Sequence, residues 1–320
     1  MVADGLPLPW SVVAAPGNGW FVSLRDEARV VHLAETGEAT DVRAPGEDGR
    51  VPGVVPGGEG GLLGLAVSDD LLYAYTTTEV DGRTENAVLS LPLNGDAAAG
   101  FTLGEPTTVL SGIPGATTHN GGRLAFGPDQ MLYVTTGDAR DTSASQDPTS
   151  LGGKILRITP QGDPAPGNPD PASPVWSLGH RNVQGIGWDA QGRMFASEFG
   201  QNRLDELNLI VAGANYGWPE VEGAGGGEGL TDPILTWTPR EASPSGLAVT
   251  SDAVYLAALR GERLWRAPLG TDGEQVVGAP TAYLTGEAGR LRDVLVEDDA
   301  LLVLTNTGSG DDRLLRVALG

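Results

Sequence analysis

Short apolar runs separated by turns bearing glycine, proline and aspartate recur along the whole chain. The clearest phrase is Arg123-Leu-Ala-Phe-Gly-Pro-Asp-Gln-Met-Leu-Tyr-Val-Thr-Thr-Gly137: an apolar strand, a turn, and a second strand rich in Leu, Val and Tyr. After a polar insert, Gly153-Lys-Ile-Leu-Arg-Ile158 supplies a third strand with Arg near its end. The same order recurs in Trp10 to Leu33, Gly61 to Pro92, Gly185 to Ser197, Gly246 to Ala258 and Arg292 to Thr305, the last closed by Arg313-Leu-Leu-Arg-Val. Six units at spacings of roughly 45–65 residues match the period of propeller blades, each a four-stranded sheet around a central channel. The pattern therefore predicts an all-β protein: one six-bladed β-propeller of four-stranded antiparallel blades, occupying residues 1–320 as a single domain. A β-sandwich would give strands at similar density but no sixfold recurrence of one phrase. No segment of ten or more residues carries a helical period, which argues against α/β folds. The segments 139–152, 161–174 and 219–233 read as long loops, and loops of that length in a compact domain usually serve function.

Composition sharpens this picture. With 48 glycines and 23 prolines distributed between apolar runs, the chain has the turn residues that many short strands need. Acidic residues outnumber basic ones 42 to 20, for a formal charge of −22. Such a surface repels nucleic acid and anionic membranes, so neither is expected as a partner. There is no cysteine, which excludes disulfides and thiolate metal sites. The apolar runs fall far short of the ~20 residues of a membrane helix, and Met1-Val-Ala-Asp-Gly has neither the basic nor the apolar region of a signal peptide. The first strand is expected to begin at Pro9.

Candidate chemistry gathers just before the first strand of each unit, where a propeller faces its channel. These openings read Gly58-Glu-Gly-Gly-Leu-Leu-Gly64, Thr118-His-Asn-Gly-Gly-Arg-Leu124, Gly179-His-Arg-Asn-Val-Gln-Gly185, Ser243-Pro-Ser-Gly246 and Gly289-Arg-Leu-Arg-Asp293. Arg123, Arg181, Arg290 and Arg292 stand there together. Any one of them could be glue between blades; four on one rim of an acidic protein predict a site for a polyanion. Of three histidines, His32 lies in an apolar strand and is expected to be structural, and His180 could support the site or serve as a ligand. His119 is followed by Gly121 and Gly122, which would let a ligand approach the backbone closely. A hairpin returning from Asp138 would set that carboxylate beside the His119 imidazole, fixing its tautomer and raising its basicity. Asp205, Glu206 and Asn208 offer hard oxygen donors suited to Ca²⁺, although such a stretch is more often a solvated acidic turn.

Taken together, His119-Asn-Gly-Gly-Arg-Leu, Gly179-His-Arg-Asn-Val-Gln-Gly, Ser197-Glu-Phe-Gly with Asp205-Glu-Leu-Asn, Ala214-Asn-Tyr-Gly-Trp-Pro219, Ser243-Pro-Ser-Gly and Arg290-Leu-Arg-Asp resemble the glucose/sorbosone dehydrogenase family, the soluble PQQ-dependent glucose and aldose sugar dehydrogenases. The phrases occur in the right order over nearly the whole chain. The resemblance implies a six-bladed propeller that holds PQQ and Ca²⁺ over its channel and oxidises aldose sugars to lactones, passing electrons to an external acceptor. It implies that His119 is the general base, oriented by Asp138, that Arg181 and Asn182 contact the reacting quinone with Gln184 close by, and that Arg290 and Arg292 bind the cofactor carboxylates. It implies calcium on the backbone carbonyls of Gly200 and Gln201, and matches Glu206 and Tyr216 to a second, structural calcium. It also implies a periplasmic or secreted protein.

Three positions depart from the family pattern. Arg260 stands where a cofactor-binding lysine is expected, keeping the charge but changing its geometry. Glu59 stands where a glutamine is expected and adds negative charge beside a polyanion unless it is protonated or turned away, and Gln201 stands where proline is common. The competing readings are a propeller that only binds, and a calcium-dependent lactonase. The second would need side-chain carboxylates and Asn at the channel centre, where this chain places mostly Arg, His and small residues.

Overall fold

The structure, a computed structural model, describes residues 1–270 and 279–319. Six antiparallel sheets form a ring. Their first strands, Pro9–Ala14, Leu62–Ser68, Leu124–Phe126, Val183–Trp188, Pro244–Val249 and Leu291–Glu297, contact one another in ring order and surround the channel. This is the six-bladed propeller that the repeat predicts. The second blade departs from four strands: a short strand, Gly100–Leu103, pairs with the long strand Arg83–Asp96 beside the regular order.

A blade packs another blade on each face, so its middle strands have no polar side. Ala253–Ala258 and Ala300–Thr305 are buried at every position, and both read as unbroken apolar runs rather than alternating ones. The buried apolar residues accordingly divide into six clusters, one between each pair of neighbouring blades.

Closure of the ring uses a strand that the sequence pattern missed. Ala3–Leu6 pairs antiparallel with Asp312–Ala318 and becomes the outermost strand of the last blade, with Leu6 opposite Asp312. Ala-Asp-Gly-Leu is too short and too polar to read as a strand; its conformation comes from the partner edge. Ala3 and Leu6 are buried with Leu302, Leu304 and Leu314 of the last blade and Trp20 of the first. Removing residues 1–6 is expected to lower unfolding stability by about 2–4 kcal/mol, from lost apolar burial and backbone pairing. Urea denaturation with and without the segment measures this.

Arg123 is a tie within the ring rather than part of a cationic rim. Its guanidinium meets Asp293 at 2.7 Å, donates to the Gln184 carbonyl at 2.9 Å and lies over the Trp10 ring at 4.4 Å. For this residue the glue reading holds, and the four-arginine rim of the sequence loses one member.

The long insert 139–152 is organised by a buried lysine. Lys154 is fully buried and its ammonium donates to three carbonyls, of Ala144, Ser145 and Gly152, at 2.6, 3.1 and 2.7 Å. Lys154→Met would leave these carbonyls without that donor, and a loss of about 3 kcal/mol or more is expected in chemical denaturation.

Candidate active site

At the mouth of the third blade two stretches of backbone lie against each other. Gly121 has φ +64°, and a Cβ there would come within 2.5 Å of the Thr136 Cα; a Cβ on Gly137 would stand 1.8 Å from the His119 carbonyl. The glycines thus admit the chain's own backbone rather than a ligand, which corrects the expectation for Gly121; at Gly122 too, a Cβ would strike Leu63. The close packing brings Asp138 to His119, with Nδ1 and Oδ1 2.7 Å apart. His119 itself holds φ +61°, and Ala139 and Arg140 beside it also have positive φ. Left-handed backbone at three side-chain-bearing residues marks a geometry held by its surroundings.

Every face of His119 is engaged. Its backbone N–H donates to Glu59 Oε2 at 2.9 Å, so one oxygen of Glu59 is engaged by the loop. Nε2 lies 2.9 Å from Arg181 Nη2. A guanidinium can only donate, so Nε2 is the acceptor and the ring proton sits on Nδ1, directed at Asp138. The imidazole therefore presents a lone pair to the cleft, the state a proton acceptor needs. Burial works to raise the Asp138 carboxyl, but His119, the Arg140 N–H and the Trp218 indole N–H outweigh it and hold it below the ordinary carboxylate value.

Arg181 reaches from His119 to the next blade. Its Nη1 donates to the carbonyl of Gly200 at 2.7 Å and, more weakly, to that of Phe199 at 3.3 Å. The loop 199–204 is in turn pinned by Glu222, whose Oε1 accepts from the backbone N–H groups of Gln201, Asn202, Arg203 and Leu204. Asp205 accepts from the N–H groups of Gly200 and Ser243 at 3.0 and 2.6 Å, yet burial still raises its carboxyl to about 6.

These groups border a cleft of about 390 Å³ that is also lined by Arg25, Arg260, Arg290 and Arg292. Among the described residues, none of Arg260, Arg290 and Arg292 makes an ion pair with an acid; Arg25 pairs only with its exposed neighbour Asp26, at 2.6 Å. Arg292 is buried, bonds Gln184 Oε1 at 2.9 Å, and has no partner for Nε. Burial, then the positive charges of Arg25, Arg290 and Arg123, push it down to about 9. A protein carrying −22 overall thus turns a surplus of cations into one cleft. A second recess of about 520 Å³ lies on the outer flank of His119, lined by Arg140, Thr142, Asn202 and Trp218 among others.

The structure therefore brings together Glu59, His119, Asp138, Arg181, Gln184, Gly200, Gln201, Arg260, Arg290 and Arg292. Asn182 is placed differently: it is fully buried behind His119, and its Oδ1 accepts the N–H of Gly121 at 2.9 Å. His180 is a buried support, bonded to Glu198 at 2.8 Å and Ser177 at 2.9 Å; His32 packs against Phe21 and Phe101 in the first interface. Asp205, Glu206 and Asn208 belong to the strand Asp205–Ile210, not to a solvated turn. The Tyr216 hydroxyl bonds Leu209 O and Val211 N at 2.6 and 3.0 Å, so it has no free side-chain donor for a cation. Glu206 shares a small recess with Glu198 and Glu222, and burial followed by the Glu198 charge pushes its carboxyl well up. Among the described residues no cluster of three His, Cys, Asp or Glu side chains is set to hold a metal. Two site residues escaped the sequence reading. Arg25 follows no unit opening, and Trp218, though inside a recognisable phrase, finds its partner eighty positions away.

Comparison with known proteins fits this geometry. The glucose/sorbosone dehydrogenase family model matches residues 6–316. The PQQ-bound aldose sugar dehydrogenase of Streptomyces coelicolor is 50% identical, aligned over 99% of this chain and 96% of that one, with a TM-score of 0.92. Aldose sugar dehydrogenase YliI of Escherichia coli is 27% identical over 99% of this chain and 92% of its own length. Quinoprotein glucose dehydrogenase B of Acinetobacter calcoaceticus is 30% identical over 70% of this chain, but the match spans only 52% of that protein. No helix among the described residues is long and apolar enough to cross a membrane.

Proposed function

Since the chain belongs to the glucose/sorbosone dehydrogenase family, we propose that it is a PQQ- and calcium-dependent oxidoreductase that converts aldose sugars to lactones at the anomeric carbon, with His119 as general base. The observation that carries the reading is the clamped imidazole, its Nε2 lone pair turned to Arg181 at the edge of a cleft whose other arginines the chain's acids leave largely unmatched.

The cleft fits the cofactor. PQQ is an o-quinone with three carboxylates, and Arg25, Arg260, Arg290 and Arg292 offer cations that the chain's own acids leave largely unmatched, one of them with an orphaned Nε. The Gly200 and Gln201 carbonyls are hard donors suited to Ca²⁺; Arg181 would have to give up the Gly200 carbonyl to such an ion. Bound there, PQQ and Ca²⁺ would supply the two-electron acceptor for the hydride that leaves the sugar. The chain's own part is proton chemistry and placement. His119 Nε2 takes the proton of the anomeric hydroxyl, Asp138 stabilises the imidazolium that forms, and Arg181, released from Nε2, stays close enough to steady developing negative charge. Glu59 holds the loop that carries His119. An external acceptor would then reoxidise the cofactor, and the same reading implies a periplasmic or secreted protein.

Adding PQQ and Ca²⁺ to the purified protein should give saturable absorbance changes and dye reduction with a panel of aldoses. No spectral change and no activity would sink the dehydrogenase reading and leave the binding module in its place.

A further inference from the structure

The two hydrogen-bond partners of the His119 imidazole, Asp138 on Nδ1 and Arg181 on Nε2, come from different blades, and one further residue, in the loop between the last two strands of the blade that Arg181 opens, touches both. The Trp218 indole N–H donates to Asp138 Oδ2 at 2.9 Å, while the Trp218 ring lies 5.3 Å beneath the Arg181 guanidinium. Asp138 therefore spends Oδ1 on His119 and Oδ2 on Trp218, and cannot turn about its Cβ–Cγ bond without breaking one of them. Trp218 is itself fixed: its backbone N–H donates to the Gly179 carbonyl at 2.9 Å, and its backbone carbonyl accepts from the Gln146 side-chain amide at 2.7 Å. The ring is nearly buried.

We propose that Trp218 is the positioning residue of this site, a single side chain that sets the orientation of Asp138 and the seat of Arg181, and through them the proton affinity of His119. The proposal rests on the reading of His119 as base but makes a separate claim. An indole N–H on Oδ2 draws charge from the carboxylate, so Asp138 pulls less strongly on the Nδ1 proton than a carboxylate with a bare second oxygen would. The other charged groups facing the pair act elsewhere: Glu59 on the His119 backbone N–H, Arg181 on Nε2 with Glu198 and Glu222 behind it, and Arg140 through its backbone N–H on Oδ1. Among the described residues, Trp218 alone supplies a side-chain donor to Oδ2.

Trp218→Phe keeps an aromatic ring under Arg181 and removes the donor, together with part of the indole's volume. Imidazole resonances of the cofactor-free protein, assigned through His119→Asn, follow proton uptake by the His119–Asp138 pair. In Trp218→Phe this uptake should move to higher pH, and the acid limb of the kcat/KM profile of the loaded enzyme should move with it, with kcat down roughly ten- to a hundredfold and the KM for aldose little changed. A residue that merely filled space would lower activity at all pH values and leave the limb in place. An unmoved imidazole titration overturns the proposal. A moved titration with an unmoved activity limb upholds Trp218 and instead removes His119 from its role as base. Should the variant fail to fold, the unaltered protein still decides: the Trp218 indole N–H resonance should shift with pH at the same midpoint as the His119 ring, and independent midpoints overturn the proposal.

Discussion

His119→Asn is expected to lower kcat for aldose oxidation by about two to four orders of magnitude while leaving PQQ binding nearly intact. The separation follows from the two sides of the cleft. The imidazole handles the proton, whereas the cofactor's charge would be met by Arg25, Arg260, Arg290 and Arg292. Asparagine is the cleaner substitution because residue 119 sits at φ +61°, a conformation that asparagine tolerates better than alanine does. His119→Ala should show the same loss of turnover with an added cost in stability. Single-turnover reduction of the bound cofactor separates the chemical step from later electron transfer. Turnover near the parent level in the asparagine variant would assign the proton to another group.

The second large effect carries opposite signs for folding and for binding. Arg292 is buried, surrounded by Arg25, Arg290 and Arg123, and leaves its Nε unpartnered. In the empty protein this is a cost: a cation removed from water among like charges. Arg292→Met fills similar space without the charge. It is expected to raise the urea midpoint of the empty protein, since Gln184 Oε1 keeps the Ser245 hydroxyl as donor. PQQ affinity should fall by roughly ten- to a hundredfold, the value of a charge-assisted hydrogen bond of about 1.5–3 kcal/mol. Destabilisation of the empty protein together with unchanged cofactor affinity would make Arg292 a structural tie like Arg123.

Much of this was legible in the chain because the relevant signals are local. The propeller shows as a repeated strand–turn–strand phrase, and buried strands show as unbroken apolar runs. His119 and Asp138 are joined by one hairpin, so their meeting could be read across a separation of nineteen positions, which leaves eighteen residues between the two. What the sequence hid depends on distant partners. Arg123 and Arg292 look alike beside their strands, and only the position of Asp293, 170 residues from Arg123, makes the first a neutralised tie and leaves the second exposed to an anion. Asn182 lies one residue beyond Arg181, but strand alternation sends neighbours to opposite sides: one reaches into the cleft and the other backs the His119 loop. The strand Ala3–Leu6 has no pattern of its own and exists only because an edge awaits it.

That borrowed strand governs when the molecule can be finished. Along the chain, residues 3–6 come before every other described strand, while their partner, Asp312–Ala318, comes after all the rest. Blades one to five can assemble as they appear, each against its predecessor. The face of the first blade that carries Val12, Trp20 and Val22 has no cover until Leu302, Leu304 and Leu314 arrive. Until that pairing forms, the ring is an open arc with an apolar flank at one end and an unpaired sheet edge at the other, an arrangement prone to join a neighbouring chain. Closing the native ring in this sense waits on the meeting of two segments some three hundred residues apart.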